Sequence, residues 1–260
     1  MTHKERIDTF LARTGKAQSR SQAQRLVMAG QVRVNGDRII KSSHTVAKGD
    51  LVEVISGPKY VSRGGQKLEG ALETFPIDVE GKVCADIGAS TGGFTDCLLQ
   101  NGAVRVYAID VGHGILDWAL RNDERVVVME RTNARYLDEL PETVNFVTVD
   151  ASFISLHLLL PRAVNWLEPD GDIVALIKPQ FEAGKESVGR GGVVRDITVH
   201  RRVVDKVVSF LPEIGLKPAG LIVSPLRGPK GNVEFLLWCR FEPDQVLDDT
   251  AIANIFSSLE

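Results

Sequence analysis

A lysine stands where an apolar run stops. In "DIVALIKPQFE", Asp172 to Glu182, the apolar residues read as a buried strand, and Lys178 follows at its carboxyl end with a proline behind it. Ligands of parallel sheets sit just beyond the carboxyl ends of the strands. A cation there is placed to meet one, although a lysine can also simply reach out to water. A second chemistry-bearing stretch is "CADIGASTGGFTDCLL". Asp86 closes an apolar strand, Gly88 turns the chain, and Gly92 and Gly93 let the backbone approach a ligand before a helix begins. A further acid, Asp110, ends the next strand candidate, "RVYAIDVG".

The glycine loop is not a dinucleotide fingerprint, because Ser90 stands where that pattern requires its second glycine. It is not a phosphate loop either, because no Gly-Lys-Ser/Thr follows. A carboxylate at the end of the second strand can hold ribose hydroxyls. An acidic site without a phosphate cradle suits a cofactor made of an adenosine and a cationic sulfonium, S-adenosyl-L-methionine. The contact candidates are Asp86, Gly88, Ala89, Ser90, Thr91, Gly92, Gly93, Phe94, Asp110 and Val111.

These residues need a scaffold, and the pattern from residue 82 onward supplies one. Apolar strand candidates at 83–88, 105–111, 126–132, 145–151 and 172–178 alternate with helical stretches such as "SLHLLLPRAVNWL". Non-alternating apolar strands separated by helices predict a parallel sheet covered on both faces. Near the end, "LKPAGLIVSPLRGPKGNVEFLLWCRF" holds two strands joined without a helix, which predicts an antiparallel pair at one edge. The expected fold class is α/β, Rossmann-like, with a mostly parallel sheet and an antiparallel edge strand, preceded by a small α+β domain. The tail shows helical spacing at Ile252, Ile255 and Phe256.

The first sixty residues differ in character. They carry 11 basic and 5 acidic side chains, whereas the other 200 carry 20 and 29. A basic module ahead of an acidic one points to an anionic partner. "ERIDTFLART" has helical spacing, Ser19 caps a second helix that Gly30 stops, and Asn35-Gly36 is a hairpin signal. Ser56-Gly57-Pro58 marks a boundary. The expected domains are 1–58, a linker at 59–66, and 67–260.

No apolar run approaches the length of a membrane span, and the start has no apolar signal core, so a cytoplasmic protein is expected. Cys84, Cys97 and Cys239 are widely spaced and odd in number, without metal-ligand spacing, and read as reduced core thiols. Trp118, Trp166 and Trp238 read as core, and His113 as a loop residue rather than a base.

"RIDTFLARTGKAQSRSQAQRLVMAGQVRVNG" resembles the S4-type RNA-binding module. The resemblance implies RNA binding by Arg6, Arg20 and Lys41, with Arg13, Lys16 and Arg25 behind them. Phosphate contacts of this kind give affinity and salt dependence rather than sequence choice. The remainder, through "DIGASTGGFTD", "AIDVGHG", "ERTNAR", "VDASFISL", "IKPQFE", "GRGGVVRD" and "GNVEFLL", resembles the TlyA-type ribosomal RNA methyltransferases, whose catalytic domain is of the FtsJ-like class. That likeness implies 2′-O-methylation of a cytidine ribose in ribosomal RNA within the ribosomal subunits; no membrane partner is expected, and no metal, since methyl transfer to oxygen needs alignment and a proton acceptor. It adds Asn133 and Asp150 to the cofactor contacts and Arg63 to the RNA contacts. It also implies a catalytic tetrad, carried here by Lys67, Asp150, Lys178 and Glu234.

A ribose hydroxyl must lose its proton as a methyl arrives, and a lysine accepts one only when burial or a neighbouring cation lowers its pKa. Lys178 is the expected base or hydroxyl anchor, aligned by Asp150, with Lys67 and Glu234 positioning the ribose. "FEAGKESVGRGGVVRD" predicts a mobile loop over the site, whose Lys185, Arg190 and Arg195 are placed to meet phosphates. Two other readings stay open: an RNA-binding regulator on an inactive methyltransferase fold, and a cytolysin, since proteins of this family often carry a haemolysin name. A pseudouridine synthase can share the first module, but the glycine loop points elsewhere.

Overall fold

A computed structural model describes residues 4–55 and 57–259. The chain forms two compact units, 1–59 and 60–260. Ser56, part of the expected boundary, lies outside the described residues.

The first unit runs β1 (Glu5–Arg6), α1 (Ile7–Arg13), α2 (Arg20–Met28), β2 (Val32–Val34), β3 (Asp37–Ile39), β4 (Thr45–Val46) and β5 (Val52–Val54). Ile7 and Leu11 of α1 meet Ala23 and Val27 of α2 over Val32, Val34, Val46 and Val52. The Ser19 side chain accepts from Gln22 N and caps α2. Beyond its end, Gly30 takes a φ of 70°, the left-handed conformation that costs a glycine least. Asn35 and Gly36, with φ of 54° and 90°, make the two-residue turn that pairs Val34 with Asp37.

The second unit opens with α3 (Gly64–Thr74) and then alternates: β6 (Val83–Ile87), α4 (Gly93–Gln100), β7 (Arg105–Ile109), α5 (Trp118–Arg121), β8 (Val126–Met129), β9 (Val144–Val149), α6 (Leu156–Trp166), β10 (Leu167–Ile177), α7 (Pro179–Glu182), α8 (Ile197–Phe210), β11 (Lys217–Val223), β12 (Phe235–Arg240) and α9 (Asp249–Ser257). The strands form one sheet in the order β11-β12-β10-β9-β6-β7-β8. All neighbours from β10 to β8 are parallel. Strand β12 runs antiparallel to both β10 and β11, with β11 outermost.

Side chains alternate across a strand, and the two faces build separate cores. Ile87, Ile109, Val149, Ile177 and Leu237 face α6, α8 and α9. Cys84, Val106, Phe146, Val174 and Leu236 face α3 and α4. Trp166 and Trp238 are buried, as expected. Trp118 is not: it is 76% exposed. Helix α5 has four residues and buries only Leu120, and a residue two positions away falls on the opposite side of a helix. The three cysteines are free and buried, and burial pushes the Cys84 thiol up to about 12.

The expected linker at 59–66 is not one from Tyr60 onward. Tyr60 is buried in the second unit's core, and Val61 N donates to Asp96 Oδ2 at 2.8 Å. Helix α3 starts at Gly64, and its second residue passes close to Tyr60: a Cβ on Gly65 would sit 2.3 Å from that ring.

Candidate active site

The first residues beyond four parallel strands are Gly88, Asp110, Asp150 and Lys178, after β6, β7, β9 and β10. Gly88 N donates to Ile109 O at 2.9 Å and Asp150 N to Ile87 O at 2.9 Å. A Cβ on Gly88 would lie 2.7 Å from the Asp150 carbonyl oxygen, so two strand ends touch where only glycine fits. The Asp110 carboxylate fixes the glycine loop: Oδ2 accepts from Ser90 N at 2.8 Å and Oδ1 from Gly112 N at 2.7 Å. Gly92, φ 97°, then starts α4.

Asp86 is placed differently from its neighbours. Its carboxylate is fully buried and accepts from the hydroxyls of Thr95, at 2.7 Å, and Thr148, at 2.9 Å. It joins β6 to α4 and β9 from beneath, and its carboxylate is not on the cleft wall. Burial pushes its pKa up to about 6, against the pull of the two hydroxyls and with a smaller push from Asp150.

The tetrad residues converge as two ion pairs. Lys67 Nζ stands 2.5 Å from Glu234 Oε2, and Lys178 Nζ stands 2.6 Å from Asp150 Oδ1. Both lysines are 8% exposed and Glu234 is 1% exposed. The ammonium of Lys178 directs hydrogen bonds to Ser152 Oγ at 3.0 Å and the Asp150 carbonyl at 3.3 Å. The Asp150 Oδ1 contact is therefore an ion pair without an aligned donor, and this oxygen remains a buried acceptor without a hydrogen bond. Gln180 leans on Glu234 at 3.4 Å, with its own Oε1 also unpartnered.

Three cavities meet here. One of about 850 Å³ is walled by all four tetrad residues together with Phe153 and Phe181. One of about 420 Å³ runs along Ile87, Ile109, Asp110, Val111, Asn133 and Leu159. One of about 160 Å³ lies along the loop from Gly88 to Phe94. Asp150 and Ser152 line all three. The 420 Å³ cleft offers carboxylate and amide acceptors between apolar walls, and no lysine or arginine lines it. That set of acceptors fits a nucleoside with a positively charged tail, not a phosphate chain.

Two residues of "DASFISL" acquire roles that spacing did not reveal. Ser152 is the hydroxyl partner of Lys178. Phe153 is 90% exposed at a φ of 64°, with its ring 4.8 Å from that of Phe181. A bulky residue in left-handed conformation is strained. The only sequence signal was an aromatic within a short polar loop. Glu182 fastens this loop to the end of β10, accepting from Ser155 Oγ and Leu156 N, both at 2.7 Å. His113 lies in a turn and pairs with Glu130 at 3.0 Å, and Arg121 and the Gly114 amide with it hold that carboxylate down to about 2. Residues 181–196, expected as a mobile loop over the site, open with the last two residues of α7 and hold a turn of 3-10 helix at Lys185–Ser187. Asn232 pins the loop, accepting from Val194 N and donating to Gly192 O, both at 2.9 Å.

In the first unit, Arg6 and Arg20 share one buried acid. Asp8 Oδ2 accepts from Arg6 at 2.9 Å, Arg20 at 3.1 Å and Gln24 at 2.9 Å. These donors, Arg6 foremost, hold its carboxyl far below the usual range despite burial. Both guanidinium groups stay about half exposed, fixed side by side. Arg13 pairs with Glu5 at 2.7 Å, and Lys16, Arg25 and Lys41 are exposed, as is Arg63 in the second unit.

The chain carries an S4 domain over residues 5–52 and an FtsJ-like methyltransferase domain over residues 60–241. It is thus a methyltransferase built behind an RNA-binding module. More narrowly, it belongs to the TlyA family. It is 48% identical to the 16S/23S rRNA (cytidine-2′-O)-methyltransferase TlyA of Mycobacterium tuberculosis, over 95% of this chain and 94% of that one. It is 44% identical to a protein named Hemolysin A in Brachyspira hyodysenteriae, over 89% and 98% of the two chains. A solved structure of a hemolysin-named protein from Streptococcus thermophilus superposes with a TM-score of 0.73 at 42% identity, over 99% and 96%. No helix among the described residues is long and apolar enough to cross a membrane, and no three metal-ligating side chains are grouped there.

Proposed function

We propose that the chain methylates the 2′-hydroxyl of cytidine in 16S and 23S ribosomal RNA, using S-adenosyl-L-methionine. The observation that carries this reading is the meeting of the cation-free cleft and the tetrad cavity at Asp150 and Ser152. The name of the 48% identical TlyA relative supports the choice of base and of both subunits.

Asp110 would accept ribose hydroxyls with the lone pairs its two backbone donors leave free, and Asn133 and Val111 would border the base. Asp86 would act from beneath by holding α4 and β9 together. The chemistry supplied in the cleft by S-adenosyl-L-methionine is an electrophilic methyl group. The target hydroxyl enters the larger cavity. Lys178 anchors it, Asp150 aligns Lys178, and the pair receives the hydroxyl proton as the new bond forms. The Lys67–Glu234 pair holds the ribose on the other side. Phe153, exposed and strained at the rim, offers a face on which an unstacked base can rest. Arg6, Arg20, Lys41 and Arg63 bring phosphate contacts.

The test is incubation of separated, unmodified ribosomal subunits with the full chain and labelled S-adenosyl-L-methionine, followed by nucleoside analysis. The reading predicts label in 2′-O-methylcytidine from both subunits. Cofactor binding without transfer to either subunit would instead favour an RNA-binding regulator.

A further inference from the structure

A fourth cavity, about 370 Å³, lies between the residue 193–200 segment and the connection from β11 to β12. Arg195, Arg227 and Lys230 line it, with His200 in its wall and Leu259 at its edge, and among the described residues no acidic side chain takes part. Among the described residues, the charged ends of Arg195 and Lys230 meet no carboxylate, and Arg227 reaches only the Gly231 carbonyl, at 3.5 Å. The His200 ring stands 3.0 Å from the Val194 carbonyl, which can only accept, so Nε2 carries the proton. Burial lowers the pKa of this histidine, against the pull of the Val194 carbonyl and Asp196.

Three cations that meet no carboxylate among the described residues repel each other around one hollow, and this in the acidic part of the chain. An anion filling the hollow would remove the repulsion and satisfy all three. Two features tie the hollow to the tetrad. Lys230 lines both cavities. Asn232, two residues from Glu234, pins Gly192 and Val194 and so holds Arg195's segment against that of Arg227 and Lys230.

We infer that this hollow is a phosphate subsite for the backbone of the substrate RNA, beside the nucleotide being methylated. The inference rests on the methyltransferase reading, and it adds an RNA anchor that the S4 module does not provide. Phosphate contacts position a strand without reading its sequence, so this site would set where the RNA lies in the cavity rather than which base is chosen.

The test is equilibrium binding of ribosomal subunits to the full chain across a salt series, with Arg195→Ala, Arg227→Ala and Lys230→Ala beside wild type. Each variant is expected to bind about 3- to 10-fold more weakly, and the log–log salt slope to drop by about 1 for each phosphate no longer neutralised. Arg227→Lys should recover most of the affinity. S-adenosyl-L-methionine affinity should stay unchanged in all four, which excludes misfolding as the cause. Wild-type affinity and slope in the alanine variants would overturn the inference, whether or not the chain methylates. Weaker binding with a shallower slope in a chain that transfers no methyl would keep the subsite and overturn the methylation reading. Competition by inorganic phosphate that the three variants abolish, with an unchanged RNA slope, would assign the hollow to a free anion and overturn the RNA assignment.

Discussion

Lys67 and Glu234 lie 167 residues apart in the chain and meet at 2.5 Å inside one cavity. A buried ion pair is a poor way to stabilise a fold, because desolvation can exceed the attraction, but removing one partner alone strands a buried charge. The pair therefore should couple in both stability and activity. Lys67→Met and Glu234→Gln are each expected to reduce methyl transfer about 100-fold or more, and the double variant to lose far less than the product of the two. Single-turnover rates in a double-mutant cycle measure this. Strict additivity would show that the two residues act independently.

Phe153 trades backbone strain for an exposed ring. Phe153→Gly should relieve the left-handed backbone and stabilise the fold by about 1 kcal/mol, while lowering kcat/KM for the subunits about 5- to 100-fold because the base no longer has a ring to stack on. Phe153→Tyr should retain activity. Denaturant melts beside steady-state kinetics separate the two effects, and a destabilised, fully active Gly variant would contradict both.

Asp86 gives the fold a pH dependence of definite sign. Its carboxyl is raised from 3.8 to about 6 in the folded chain. Between those values the folded state holds more protons than the unfolded state, so this residue's contribution to stability falls as pH rises. Asp86→Asn removes that contribution. The stability of the variant relative to wild type should therefore increase between pH 4 and pH 7.5, by up to about 3 kcal/mol. Denaturant melts at the two pH values give the comparison, and a pH-independent difference would count against the buried charge.

Asp8 has the opposite sign. Its carboxyl is held low by Arg6, Gln24 and Arg20, so its stabilisation is present at neutral pH and lost as pH falls below the ordinary aspartate range. Asp8→Asn is expected to cost about 2–4 kcal/mol in the first unit. It should also weaken RNA binding, because Arg6 and Arg20 lose the anchor that fixes their spacing. Unchanged RNA affinity in this variant would show that the two arginines do not need it.

Much of this arrangement was legible in the chain because strand ends are abrupt. The apolar runs of β6, β7, β9 and β10 stop one residue before Gly88, Asp110, Asp150 and Lys178, and in a parallel sheet those ends share one edge. Asn35-Gly36 and Ser19 were equally readable, since their chemistry is local. The pairing of Lys67 with Glu234 was not, because it depends on the register of β12 against β10 and on the placing of α3. Asp86 misled for a different reason: it lies inside β6, where alternation turns its side chain under the sheet edge. Trp118 shows that a large apolar residue needs a partner face, which a four-residue helix does not give it.

The most direct measurement of the central claim is methyl transfer to unmodified subunits by wild type and Lys178→Ala, each with its S-adenosyl-L-methionine affinity measured in parallel. The account predicts 2′-O-methylcytidine from wild type, a loss of about 100- to 10,000-fold in the variant, and cofactor affinity within a few-fold of wild type. Transfer at the wild-type rate by Lys178→Ala would contradict the placing of the chemistry at the Lys178–Asp150 pair.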